Sequence, residues 1–288
     1  MNKRNTYLMV LLAPWLITVA VFWLYPLGYA LVLSFTKYQT LTNAMSWVGL
    51  QNYEAVFRSK PFWQALTNTL VFTLGTVPVT TAFALLLATA VRTRTKRFAD
   101  VLRASYFLPS VTSLVVIALI FTNLYSRDGY VNAICSMVGL PFPEQGWLLS
   151  SGTALFAIMA MDVWISTGYY MVLFLAAMEA VPKDLYESAE LVGATSWQQF
   201  KQITLPLIRP TVLFVVVINT IKSFQVFIEV YVMTKGGPLG ATTTLVYSVY
   251  HNAFEQSDMM GYASALAWVV FIILLGFSLI QMKVLRAK

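Results

Sequence analysis

The chain has 288 residues, of which 58% are hydrophobic and 11% charged, and it carries a formal net charge of +7. A soluble domain has roughly 25% charged residues, so this composition excludes an ordinary water-soluble protein and places the chain in a bilayer. A single cysteine also excludes an internal disulfide framework.

A membrane-crossing helix needs about 20 mainly apolar residues, because the hydrocarbon core is about 30 Å thick and offers the backbone no water. Six segments qualify: Leu8 to Phe35, Asn68 to Val91, Ala104 to Leu124, Thr153 to Met178, Thr211 to Met233 and Gly261 to Val284. None alternates with period two as a barrel strand would, so the expected fold is an all-α integral membrane protein with six transmembrane helices. Lys3 and Arg4 precede the first segment as in an export signal. The run is too long for one, contains Trp15 and Trp23 and lacks a small-x-small cleavage site, so it reads as a span. Pro14 and Pro26 are expected to bend or end helix within it.

Basic residues stay on the cytoplasmic side. An even number of spans leaves both termini on one face, together with Arg92, Arg94, Lys96, Arg97, Arg103, Lys183, Lys201 and Arg209. With Lys3, Arg4, Lys283, Arg286 and Lys288 these make thirteen, against five (Lys37, Arg58, Lys60, Arg127 and Lys235) on the other face. Both termini are therefore expected inside, and the positive charge follows from topology and contact with lipid head groups, with no call for nucleic acid.

Between the fourth and fifth spans lies a polar insert, "YESAELVGATSWQQFKQITLPLIRP", Tyr186 to Pro210. From Pro182 it reads as a short helix with Leu185, Ala189 and Val192 on one apolar face, interrupted at Gly193. Ala194 to Gln202 reads as a second, with Ser196 as N-cap and Trp197, Phe200 and Ile203 spaced three apart. Pro206 and Pro210 are expected to end it and start the next span. Such a knob suits the groove of a soluble partner, and composition alone suits an amphipathic linker on the head groups equally well.

Ionisable groups at membrane depth are costly and face a cavity or a partner. Asp162 lies in the fourth span, where Ser166, Tyr169 and Tyr170 extend a polar stripe; Lys222 and Glu229 lie in the fifth, seven apart, with Asn219 and Ser223. Two readings stay open: a solute path, or Asp162 and Lys222 neutralising each other as internal glue. In a path, carboxylate, hydroxyl and amide groups would read the hydroxyl groups of a polar solute, while Trp164, Tyr169 and Phe224 would stack on an apolar ring face. Trp164 is equally suited to packing on a neighbouring helix. Lys222 also admits a phosphate-bearing solute, although one lysine without an arginine is a weak anion site.

Glu187, Ala189, Gly193, Phe200, Ile203, Leu205, Pro206 and Pro210 match, at the right spacing, the EAA loop of membrane subunits of ATP-binding-cassette importers. "GLQNYEAVF", "FWQALTNTLVFT" and "SFQVFIEVYVMTKGGPLGATTTLVYSVYHNAF" extend the resemblance over most of the chain, to the carbohydrate-uptake permeases related to the maltose, glycerol phosphate and other sugar systems. Ser188, Val192 and Ile228 depart from the common pattern.

The resemblance implies a type I ABC importer permease fold over residues 1–288, with 179–210 as the cytoplasmic coupling loop. Tyr186, Glu187, Ala189, Gly193, Ala194, Phe200, Ile203, Leu205 and Pro206 would engage an ATPase, Glu187 anchoring the knob through cap or salt-bridge contacts. It further implies a second related permease as a hetero-pair, two cytoplasmic ATPase subunits, an extracytoplasmic substrate-binding protein, a small sugar-like solute and a bacterial or archaeal plasma membrane. Cofactors, ATP and Mg, belong to the ATPase subunits. This chain has no G-x-x-x-x-G-K-[ST], and "KGGPLGATTT" lacks the lysine after its last glycine. His251 and Cys135 fall in outer loops and assemble no nucleophile pair or metal cluster, so neither catalytic nor metal residues are expected. The aromatic outer stretches Tyr38 to Trp63 and Tyr125 to Trp147 suit either a binding protein or interfacial anchoring. An ion-coupled transporter and a membrane enzyme are the other function classes, and neither gives the knob a purpose.

Overall fold

The computed structural model describes residues 3–39, 42 and 44–286. Lys288, and the side chains of Lys3, Arg4 and Arg286 counted above for orientation, lie outside the described residues. The elements are α1 (Lys3–Val19), α2 (Tyr25–Ser34), β1 (Thr36–Gln39), β2 (Ala44–Trp47), α3 (Gln51–Arg58), α4 (Lys60–Arg92), α5 (Lys96–Val111), α6 (Leu114–Leu124), α7 (Tyr130–Val138) and α8 (Ala154–Glu179). They continue with α9 (Lys183–Leu191), α10 (Ser196–Gln199), α11 (Leu205–Leu207), α12 (Arg209–Phe224), α13 (Ile228–Met233), α14 (Leu245–Tyr250) and α15 (Met260–Arg286). Among the described residues, five helices are long and apolar enough to cross a membrane, or six if the bent pair α5 and α6 counts as one span.

The third expected segment, Ala104 to Leu124, falls on this bent pair. The chain turns by 96° between α5 and α6, where Thr112 is extended and its hydroxyl donates to the Leu108 carbonyl (2.9 Å). Pro109, which has no N–H to give, sits in the last turn before this bend.

Prolines act differently elsewhere. Pro14 and Pro26 do not break the first span: a π-helical turn, Ala20–Leu24, joins α1 to α2, with the Tyr25 N–H reaching back to Ala20. A proline ring collides with the carbonyl four residues earlier, and the wider i to i−5 turn just before Pro26 relieves that collision. The same device precedes Pro206, where Phe200–Thr204 forms a π-helical turn and the Leu205 N–H bonds to Phe200. Helix therefore runs through Pro206, contrary to expectation, and ends at Leu207.

Two compact units divide the chain. The first holds the described residues to Trp63 and Ser248–Ile273. In it the antiparallel β1–β2 hairpin sets Thr36 opposite Trp47, and the Asn52 amide donates to the Ser34 and Thr36 carbonyls (both 2.9 Å). The second unit holds Gln64–Tyr247 and the described residues from Leu274, with two buried clusters. One gathers Phe72, Ile158, Met161, Ile165 and Val230; the other gathers Ala88, Val91, Phe174, Met178 and Ile208. Burial concentrates on α8, whose Gly168 lies so close to the Tyr106 carbonyl of α5 that a Cβ there would run into it.

Gly168→Ala is accordingly expected to reduce folded, monodisperse protein several-fold. Overpacking costs about 1–3 kcal/mol even where side chains can yield, and here the obstacle is backbone. Gly28→Ala, which meets nothing within 4 Å, is the control; equal yields and melting temperatures for the two variants would refute the close approach.

Candidate functional site

Lys222, on α12, reaches across to α8: its Nζ donates to Asp162 Oδ1 at 2.6 Å and also to Ser166 Oγ. The two partners differ in setting. Asp162 is buried, its side chain 2% exposed, whereas that of Lys222 is 41% exposed and borders a cavity of about 320 Å³. Ser166, Tyr169 and Tyr170 line the same cavity, with Ser110 and Thr112 at the α5–α6 bend opposite. The volume lies at the small end of ligand pockets, about 300–1,000 Å³. Asp162 Oδ2 is buried without a hydrogen-bond partner among the described residues, which leaves one acceptor unused beside the ion pair.

The structure gathers Asp162, Ser166, Tyr169, Tyr170 and Lys222 around the ion pair; none of the other path candidates lines the cavity, although Glu229 stays within electrostatic reach of Asp162 and Lys222. Phe224 is fully buried against Phe277 (ring centroids 5.2 Å apart) and cannot stack on a solute. Trp164 packs on Phe121 of α6 at 5.4 Å, the alternative weighed from sequence. Ser223 is buried and hydrogen-bonded to Thr76 of α4 (3.1 Å), and Asn219 is fully buried. Glu229 is also buried, but the helix breaks between Phe224 and Ile228, so Glu229 and Lys222 do not share one continuous helical face.

Two features of the cavity region escaped the sequence reading. Ser110 and Thr112 reach the cavity only because the third span bends; Pro109 before a Ser-Val-Thr-Ser run was the available signal. Thr69, Thr73, Thr76 and Thr80 form a buried stripe on α4, visible in the sequence as threonines four, three and four apart.

The polar insert folds as a knob. Gly193, at φ +78°, separates α9 from α10, a left-handed conformation natural to glycine. The N-cap of α10 is Thr195, not Ser196: the Thr195 hydroxyl accepts from the Gln198 N–H, and the Gln198 side chain accepts from the Thr195 N–H in a capping box. The tip is apolar and open, with Leu191 90%, Val192 84% and Trp197 68% exposed. Leu185, on the same expected apolar face as Ala189 and Val192, is exposed too. Tyr186, Phe200 and Ile203 face inward and pack on the cluster around Met178 and Ile208. Ala189, Ala194 and Leu205 are half-buried and Pro206 is exposed. Glu187 is exposed and makes no ion pair among the described residues, so it does not anchor the knob within this chain.

The family described as binding-protein-dependent transport system inner membrane component matches residues 57–285. The chain belongs to this family. The permease is 33% identical over 278 residues to the lactose transport system permease protein LacF of Rhizobium radiobacter, covering 96% of this chain and 93% of that one. It is 34% identical over 283 residues to the trehalose/maltose transport system permease protein MalF of Thermococcus litoralis, covering 98% and 94%. Its fold is similar to that of a bacterial ABC transporter involved in import of the acidic polysaccharide alginate, with a TM-score of 0.85, 24% identity, and 99% and 96% of the two chains covered. The chain is thus a multi-pass transport subunit of the plasma membrane rather than an enzyme. The bend between α5 and α6 beside the cavity is similar to the irregular backbone that lines water-filled paths in transporters generally.

Proposed function

We propose that this permease forms the translocation path for a neutral sugar or sugar-like solute, delivered by an external binding protein and driven by separate ATPase subunits. The observation that carries the substrate class is the cavity beside Lys222, where tyrosine rings and hydroxyls surround an ammonium already neutralised by Asp162. Tyrosine faces suit the apolar side of a pyranose, and the serine, threonine and tyrosine hydroxyls that line the cavity suit its hydroxyl groups. A phosphate-bearing solute such as glycerol 3-phosphate would need an uncompensated cation, which the Asp162 partner removes.

In this reading residues 1–288 form one permease domain with six spans and both termini in the cytoplasm. The knob within 179–210 is the coupling loop, its open apolar tip seated in a cleft of an ATPase that binds ATP and Mg. A second, related permease completes the path as a hetero-pair. Nucleotide-driven closure of the ATPases moves the knob as a rigid body and switches access from one side to the other.

Purification of the tagged chain from native membranes in mild detergent is expected to bring down a soluble ATPase and a second permease by mass spectrometry. Uptake of a labelled disaccharide is expected to be suppressed by unlabelled disaccharide and unaffected by glycerol 3-phosphate. An intact chain that purifies alone and transports on an ion gradient would overturn the importer reading; competition by glycerol 3-phosphate alone would overturn the substrate class.

A further inference from the structure

The inner end of α4 holds a basic residue that topology alone does not explain. Arg92 is the last residue of α4, half-buried, and its guanidinium carbon lies 4.5 Å from the ring centroid of Tyr186 in the knob. Its Nη1 donates to Tyr186 Oη at 2.9 Å, and that hydroxyl is in turn 2.8 Å from Thr204 Oγ1. Thr204 is 3% exposed and closes the π-helical turn that carries the knob's return strand of chain toward α12. One guanidinium and one phenol thus join three pieces separated in sequence: the end of the second span, the first knob helix and the approach to the fifth span.

Packing around this junction is not tight. A cavity of about 250 Å³ lies beside it, bordered by Arg92, Tyr186 and Thr204 and by the polar side chains of Glu190, Ser196 and Gln199. The knob's base is also held by apolar contact of Phe200 and Ile203 with the cluster around Met178 and Ile208. Apolar contact resists separation and permits sliding, whereas directional bonds to a planar, permanently charged group hold an angle. A knob without the polar tie would have room to tilt against α4.

We propose that Arg92 is a positioning residue for coupling: through Tyr186 and Thr204 it locks the knob to the inner end of α4, so that displacement of the knob is passed to the second span. This rests on the reading of the knob as the ATPase-coupling loop. Arginine suits the role because its plane covers the ring while an edge N–H reaches the hydroxyl, a pairing that lysine cannot reproduce.

The test uses the whole complex as it co-purifies, reconstituted in proteoliposomes with its binding protein and a labelled disaccharide, reading solute moved per ATP hydrolysed. Arg92→Gln and Tyr186→Phe are each expected to lower this ratio by about threefold to tenfold with the ATPase still bound. The double variant is expected to be no worse than either single one, because both cut the same chain of contacts. Arg92→Lys is expected to resemble Arg92→Gln, and Arg97→Ala, an exposed basic residue at the start of α5, to keep the wild-type ratio. Should Arg92→Gln fail to assemble, Tyr186→Phe, which removes one oxygen, decides. A wild-type ratio in Tyr186→Phe, or strictly additive losses in the double variant, overturns the proposal. A wild-type complex lacking any ATPase overturns the coupling reading itself, a separate and recognisable result.

Discussion

Gly193→Asp is expected to cut solute uptake by about tenfold or more while leaving the permease inserted in the membrane. The position has open space around it, with nothing within 4 Å of a built Cβ, so the variant does not clash. Part of its effect comes from the backbone: φ is +78°, a left-handed conformation that glycine adopts freely and that costs a residue with a Cβ energy, less for aspartate than for most. Relief of that strain re-aims α10 and the exposed Trp197 relative to α9, and the new carboxylate adds charge beside the apolar tip of Leu191 and Val192. Membrane yield and ATPase co-purification, measured alongside uptake, separate the cases. Normal uptake in this variant would sink the coupling role of the knob.

The second large effect concerns the ion pair at the cavity, and the two partners are expected to respond unequally. Lys222→Ala leaves the buried Asp162 without its cation and with only Ser166 donating to it, which is expected to deplete the folded permease. Asp162→Ala leaves an ammonium that already opens onto the cavity, so folding is expected to suffer less and uptake more. The double variant Asp162→Asn with Lys222→Met is expected to restore folded protein but not uptake. Fluorescence-detected size exclusion and uptake read the two quantities separately. If Asp162→Ala loses assembly and uptake in equal measure, the pair is internal glue and not part of a solute path.

These outcomes also show why residues that read alike in sequence play different parts. Phe224 and Tyr169 were equal candidates for stacking on a sugar, yet Phe224 is sealed against Phe277 while Tyr169 lines the cavity. A short apolar stripe on a helix that is apolar all round does not say which side meets a neighbour and which meets a void. Likewise Arg92 counted as one of thirteen inner-face charges, and its bonds to Tyr186, 94 residues away, are long-range.

By itself the sequence determined that this chain lives in a membrane, roughly where it crosses, and where the knob breaks at Gly193, together with its family. Those properties depend on composition within about 20 residues, or on a single backbone preference, and both are local. Only the tertiary structure decided that the chain bends at Thr112 and Ser113 between α5 and α6, that helix passes through Pro26 and Pro206 behind π-helical turns, and that Lys222 meets Asp162 across 60 positions. Each of these follows from which helix faces pack together and which prolines the packing accommodates, a choice settled by contacts between segments far apart in the chain.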